Sequence, residues 1–368
     1  MRVVTVLHPH DLALPAPLAG FRSNGVVVPE GSDVAGHTDC SPLPVTGLFG
    51  VARLMRYRGL RRILAEADAV HVRTDPASAL AYQVASLCRR LGLAMMIEVD
   101  HQAGRPAPML WKIVARRILL FADGAMARHS VGLMRLRQRG FAGHGVVAGA
   151  GLDGDVPVSS ARPDLLTTRS LTLGLIAGLS TVTSGAADVL EAVAMSPGVV
   201  LQLADIGVHH RLSDRAAALG MQDRLRFVQP GAVLDGIDVL VTAPNPATAY
   251  RLPYDVLIER AHGAGIPVLC SDVAGLPEMV GPGGWVVPAG DAGAVFEVLR
   301  ALRSEPDQVA ARAALAVIHQ NHRRAVRTDA AAWLRPLAQS ARRPVSNLTA
   351  RAVPLAGAQT TTRPAALP

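Results

Sequence analysis

The sequence predicts an α/β protein of two domains, each built on a parallel sheet. Three observations predict it. Short apolar runs alternate with longer segments of helical periodicity, that series breaks once at a stretch rich in Pro and Ser, and half of the 368 residues are hydrophobic. Alternation of this kind is the pattern of βαβ units, and the length suffices for two ordinary cores.

In the first half, strands are expected at Val3–Leu7, Gly25–Val28, Ala69–Val72, Ala94–Glu98, Gly124–Ala127 and Val146–Ala148. In the second they are expected at Leu171–Ile176, Val199–Leu203, Leu225–Val228, Val239–Thr242, Val268–Cys270 and Gly284–Val287. Helical periodicity fills the intervals, as at Ser78–Leu91, Gly185–Ala194, Tyr254–Gly263 and Ala292–Leu302. The stretch Val156–Pro163 reads as a linker between a first domain, 1–155, and a second, 164–335. From Pro336 the composition turns to Ala, Pro, Thr and Arg without apolar periodicity, so 336–368 is expected to be a disordered tail. No internal repeat of fixed period is present.

No apolar run reaches the length of about 18 residues that a membrane-spanning helix needs. The first residues, MRVVTVLHPHD, lack the apolar core and cleavage site of a secretory signal. The widely spaced Cys40, Cys88 and Cys270 argue against a disulfide framework. A cytoplasmic location is therefore expected. The net charge of +8 is uneven: residues 1–160 carry 18 basic and 12 acidic side chains, whereas 161–335 carry 15 and 17. The tail adds four arginines and no acid. Such an excess suits an anionic partner. With few aromatics and no basic run interleaved with them, nucleic acid is not the expected one.

The segment 45–67 departs from the alternation. On a helix, Leu48, Val51, Met55 and Ile63 fall along one side, with Arg53, Arg56, Arg58, Arg61 and Arg62 around the other. A basic amphipathic helix suits either a peripheral contact with an anionic membrane or an ordinary surface position with its apolar side in the core.

Several apparent motifs carry no chemistry. Gly149-Ala150-Gly151-Leu152-Asp153-Gly154 matches GxGxxG, but Pro157 and Pro163 follow where a dinucleotide fingerprint needs a helix to begin. Asp153-Gly154-Asp155 lies at the linker. His209 with His210, and His319 with His322, lack partners at metal-ligand spacing and read as surface histidines.

The informative stretch is 251–291, RLPYDVLIERAHGAGIPVLCSDVAGLPEMVGPGGWVVPAGD. Asn245–Leu252 leaves a strand and feeds a helix near Tyr254, whose free N–H groups and positive dipole end face the carboxyl edge of a sheet. Open α/β sheets bind ligands at that edge. Glu259, in the first turns of the helix, is placed to accept hydrogen bonds from vicinal hydroxyls such as those of a ribose. A second loop, Ser271–Glu278, is placed to close over the same crevice.

This stretch resembles the donor-binding segment of the retaining GT-B glycosyltransferases known as glycosyltransferase family four. Glu259, Gly263, Gly265, Pro267 and Val268 fall in step with the family pattern, as do Ser271, Asp272, Gly275, Pro277 and Glu278, then Pro288, Gly290 and Asp291. Asp68–His71, Val99–His101, Ala122-Asp123, Gly151–Asp153 and Gly220–Phe227 follow it more loosely. The resemblance implies a GT-B architecture, two Rossmann-like domains with parallel sheets facing across a cleft. It implies Glu259, Gly178, Tyr254, Asp255, Ser271 and Asp272 as donor-binding residues, and His101 as a contact to the donor sugar.

Three departures stand out. Leu179 and Ser184 replace a family Arg and Lys that contact the donor diphosphate, Arg251 replaces the first Glu of the paired-Glu motif, and the Gly-rich loop after the first strand is absent. Arg251, beside the helix N-terminus, is the expected substitute for the missing cations and with His101 completes the expected catalytic pair. The implied activity is transfer of a sugar from a nucleotide-diphosphate sugar to a glycan or lipid-linked acceptor hydroxyl, with retention and with neither metal nor cofactor. A non-catalytic GT-B-fold protein that binds a partner or saccharide is the alternative, and a sugar-nucleotide epimerase is disfavoured because no carboxylate pair is evident.

Overall fold

The computed structural model describes residues 2–9, 22–32, 40–47, 52–99, 108–149, 170–177, 185–205, 209–246 and 254–332. The first half contains β1 (Arg2–Leu7), β2 (Arg22–Pro29), β3 (Cys40–Leu43), β4 (Val45–Thr46), β5 (Arg56–Tyr57), α1 (Leu60–Leu64) and β6 (Ala69–Arg73). It continues with α2 (Ala79–Leu91), β7 (Ala94–Val99), α3 (Met109–Phe121), β8 (Gly124–Ala127), α4 (Ser130–Gln138) and β9 (His144–Val147). Seven of these strands form one sheet in the order β3-β2-β1-β6-β7-β8-β9, with every pairing parallel.

The second half begins with β10 (Leu171–Ala177), α5 (Ala186–Ala194), β11 (Val199–Asp205), α6 (His209–Ala218), β12 (Leu225–Val228) and β13 (Val239–Thr242). It ends with α7 (Tyr254–Gly263), β14 (Val268–Ser271), α8 (Leu276–Val280), β15 (Gly284–Val287), α9 (Ala292–Ser304) and α10 (Asp307–Ala332). Its sheet, also all parallel, runs β12-β11-β10-β13-β14-β15. The strand order reverses between β10 and β13, the switch point at which doubly wound sheets open a crevice.

Local chemistry explains the boundaries. The Ser78 side chain accepts the Ala81 amide at 3.1 Å to start α2, and Asp291 accepts that of Ala294 at 2.8 Å to start α9. Such caps contribute about 1 kcal/mol each. Central strands are buried on both faces, so β6 and β7 carry no polar–apolar alternation. Edge strand β3 contains Pro42, which an edge tolerates and which hides the strand from sequence reading.

The segment 45–67 corrects the sequence reading, because it is not one amphipathic helix. β4 and β5 pair as a short antiparallel ribbon, Ala52–Leu54 makes one 3-10 turn, and only Leu60–Leu64 is α-helical; residues 48–51 lie outside the described set. Gly47 sets the break, with φ 136° and a backbone so close to Leu54 that a Cβ would lie 2.5 Å from its carbonyl oxygen. The segment packs inward. Tyr57 is 1% exposed, donates its hydroxyl proton to the Leu7 carbonyl at 2.9 Å, and its own amide and carbonyl are both held by Gln83. The ribbon is therefore tied to the carboxyl end of β1.

The expected linker, Val156–Pro163, and the expected tail, 336–368, lie outside the described residues. Among the described residues no helix is long and apolar enough to cross a membrane. α10 follows the second sheet in sequence yet runs back to the first, where Arg327 meets β7. Replacing Tyr57 by Phe strands the buried Leu7 carbonyl and is expected to cost about 1–2 kcal/mol, read as a lower urea midpoint with an unchanged slope.

Candidate active site at the seam between the lobes

The carboxyl ends of β6, β7 and β8 bring charge into a region with almost no water. Glu98, on β7, is 0% exposed. Its Oε1 lies 2.6 Å from Nη2 of Arg128, the residue after β8, and its Oε2 lies 2.7 Å from His71 Nε2 on β6. From α10, Arg327 grips both oxygens, each at 3.1 Å. Burial alone would raise the Glu98 pKa, but Arg128, Arg327 and His71 together hold it well below 4.5. Burial lowers the pKa of His71 despite the pull of Glu98, so the ring is neutral, with Nε2–H toward Glu98 and Nδ1 at 3.4 Å from the Thr5 hydroxyl.

The same guanidinium joins the lobes. Arg128, itself 0% exposed, donates from Nε to Asp255 at 3.1 Å and from Nη1 to the Gly149 carbonyl at 2.7 Å. Asp255 belongs to the first turn of α7 in the second lobe. The Gly149 carbonyl also accepts from Arg327 at 3.0 Å. Arg323, one turn before Arg327 on α10, donates to the Arg128 carbonyl at 2.7 Å. Burial lowers its pKa, and the Glu259 charge works against that shift. Three buried carboxylates, Glu98, Asp255 and Glu259, thus face three buried guanidiniums, Arg128, Arg323 and Arg327.

Glu259 sits on this seam. It is 3% exposed, accepts from Gln320 Nε2 at 3.3 Å, and lies so close to Gly149 that a Cβ there would fall 2.8 Å from its Oε1. A side chain at this position would displace the carboxylate from its present place. A second contact closes the seam nearby. Glu278 of α8 accepts the Ser130 amide at 2.7 Å and its hydroxyl at 2.5 Å, placing a negative charge at the start of α4. His129, whose Nδ1 accepts the Gly132 amide at 3.0 Å, lies against Gly275, where a Cβ would fall 1.9 Å from the ring.

The other expected site residues divide. Tyr254 is buried in the core beneath α7, and burial raises its phenol pKa. The Ser271 hydroxyl donates to the Pro244 carbonyl at 2.7 Å, strapping the ends of β13 and β14 together. Asp272 accepts the Ala289 amide at 2.9 Å. His101, Gly178 and Arg251 lie outside the described residues, as do Leu179 and Ser184. The chain between β10 and α5 and that between β13 and α7 flank the switch point, and most of both is outside the described set.

Sequence reading missed Glu98, His71, Arg128, Arg323 and Arg327 as a functional group. The available signal was a polar residue inside each of two largely apolar strands, His71 on β6 and Glu98 on β7. The reading of His319 as a surface residue is also corrected. Its ring stands 6.1 Å from that of His262, which is 0% exposed in α7, and a Cβ on Gly281 would lie 2.7 Å from it. Two helices, α7 and α10, bring these rings together across a long stretch of sequence. Burial first, then His319 and Arg323, push the His262 pKa down to about 3. His322 remains exposed.

No protein-family model matches the sequence, and no curated protein does. Solved structures match its fold. HepE of Anabaena in complex with UDP has TM-score 0.70 at 16% identity, covering 91% of this chain and 100% of its own. A glycosyltransferase from Rickettsia africae gives 0.64 at 12%, covering 91% and 98%. The lipopolysaccharide outer core galactosyltransferase WaaB gives 0.63 at 14%, covering 91% and 100%. At these identities the likeness is one of fold, the GT-B architecture of two Rossmann-like halves.

Removing one partner from a buried ion cluster leaves a charge without compensation. Arg327→Met is expected to cost about 3 kcal/mol or more, seen as a lowered urea midpoint. A second expectation concerns acid. His262 is neutral in the fold, so the unfolded chain binds more protons between pH 6.5 and about 3, and stability falls as pH drops through that window. Glu98 adds a loss below about pH 4.5 as its carboxylate is protonated. Melting temperatures of the wild type are expected to fall from pH 6.5 downward, and His262→Gln to reduce the slope above pH 4.5, with His71 and His319, also held below the usual imidazole pKa, keeping the remainder.

Proposed function

We propose that this chain transfers a sugar from a nucleotide-diphosphate sugar to the hydroxyl of a glycan or lipid-linked acceptor, with retention of configuration and without a metal or cofactor. The observation that carries the reading is Glu259, a carboxylate on α7 lying where the two lobes of a GT-B fold meet. The likeness in fold to HepE, whose structures include one with UDP-glucose, supports it.

The donor lies in the crevice at the switch point of the second sheet. Its ribose hydroxyls donate to Glu259, and its diphosphate meets Arg251 and the amino end of α7. His101 contacts the sugar. The acceptor approaches from the first lobe and attacks on the face the nucleotide leaves, the departing phosphate taking the acceptor proton. Arg251 supplies charge where the leaving group develops it, which is where a fixed cation accelerates the step most. Because Gly149 and Gln320 cover Glu259, donor entry parts the seam at that point.

That cover also favours a second reading, a non-catalytic GT-B-fold protein that binds a partner or saccharide with its lobes held together. Calorimetry against UDP, UDP-glucose and a panel of other nucleotide sugars, followed by a hydrolysis assay, separates the two. The transferase reading expects one nucleotide sugar to bind and turn over. Glu259→Gln is then expected to weaken donor binding by about 10- to 100-fold, the loss of hydrogen bonds to a charged group, and Arg251→Ala to abolish it. A wild-type chain that binds no nucleotide of the panel overturns the transferase reading.

A further inference from the structure

Eleven large apolar side chains are exposed among the described residues, and five of them belong to α3. Met109 and Leu110 are 73% and 71% exposed, Leu120 is 61%, and Ile113 and Phe121 are 48% each. The helix buries its opposite side through Ala115, Ile118 and Leu119. Met109, Ile113 and Leu120, spaced by four and seven residues, form one outward stripe. On a helical projection Lys112 and Arg116 border that stripe on one side and Arg117 on the other, and all three are exposed.

The neighbouring helices extend the same chemistry. α2 contributes exposed Arg89 and Arg90, and Arg89 stands 5.2 Å over the Phe121 ring. α4 contributes Arg135 and Arg137, and the Arg116 side chain reaches Gly140 just beyond α4. No acidic residue occurs in α2, α3 or α4. An apolar stripe edged by cations, on helices without carboxylates, defines the surface.

We propose that α3 docks on the surface of an anionic lipid bilayer, its apolar stripe entering the headgroup boundary while Lys112, Arg116 and Arg117 meet the lipid phosphates. Long cationic side chains suit this position, since their stems stay apolar while their heads reach outward. Each cation near such a surface strengthens binding roughly fivefold. The other candidates for this face are disfavoured by charge. A second copy across a two-fold contact would set the three cations against their own equivalents. Residues 333–368 of the chain carry five arginines and no acid, so they repel the same layer. The inference does not depend on the transfer reaction.

The test is co-sedimentation of the full chain with vesicles of phosphatidylcholine alone or mixed with phosphatidylglycerol. The wild type is expected to bind the mixed vesicles at least tenfold more tightly, and less tightly as salt rises. Leu110→Asp with Leu120→Asp is expected to abolish binding, and Lys112→Glu with Arg117→Glu to weaken it at least tenfold. Ile318→Asp, at an exposed apolar site on α10, is expected to bind as wild type does. Thermal melts by circular dichroism identify any variant that fails to fold. Failure of the wild type to bind mixed vesicles, or wild-type binding by the folded Leu110→Asp, Leu120→Asp protein, overturns the proposal. So does self-association in sedimentation velocity that this variant abolishes while no vesicle binds, since the face then belongs to a second copy.

Discussion

Glu98 holds a charge where water does not reach, and the arrangement of the seam follows from the cost of keeping it there. A carboxylate taken out of water loses several kcal/mol of hydration, which one opposite charge rarely offsets unless the geometry is good and the remaining lone pairs are used. Here Arg128 and Arg327 supply the charge, His71 supplies a further donor, and the bidentate grip of Arg327 fixes the angle of approach. The two arginines come from different parts of the chain, one following β8 and one near the end of α10. A group that satisfies Glu98 therefore also returns the last helix to the first lobe.

That coupling spreads. Having committed one arm to Glu98, Arg128 commits its Nε to Asp255 of the second lobe and its Nη1 to Gly149. Gly149 in turn lies against Glu259, so the carboxylate at the centre of the proposed donor site is joined to Glu98 through two residues, Arg128 and Gly149. A buried ion cluster adds little net stability compared with an apolar core, but its strict geometry selects one relative placement of the parts it joins. The lobes of this chain are registered by charge at the seam, with the Glu278–Ser130 and His129–Gly275 contacts completing the registration. Arg128 and Arg327 both donate to the Gly149 carbonyl, so any shift of Gly149 disturbs the two together.

The strands were legible because a parallel sheet buried on both faces needs unbroken apolar runs, which composition alone reveals. β8, β12, β13 and β15 begin and end where the runs do. The helix Tyr254–Gly263, which carries Glu259, was legible for the complementary reason of period and flanking Gly and Pro. The segment 45–67 was misread because its apolar residues also fit a helical period over a short span, while Gly47 breaks it. Of the seam, Asp255 and Glu259 were legible on α7, but their cationic partners were not. Arg323 and Arg327 lie in a helix whose cations look like an ordinary solvated face, and nothing local distinguishes an arginine destined for Glu98 from Arg324 beside it. Burial of a charge is decided by what stands opposite, and the partner is more than two hundred residues away.

The charge asymmetry of the sequence resolves along the same line. Read as a count, the excess of cations in the first 160 residues points to an anionic partner without saying where it would bind. The fold divides those cations into two populations. Arg128 is fully buried and matched by carboxylates of both lobes, so it contributes nothing to the outer field. Those of α2, α3 and α4 have no acid in their own helices, and several stand exposed among apolar side chains. The two populations obey one rule under opposite boundary conditions: inside, a guanidinium persists only against a carboxylate, whereas outside it persists against water and is free to exchange water for phosphate. One residue type therefore registers the lobes within the molecule and edges the face proposed to meet an anionic surface.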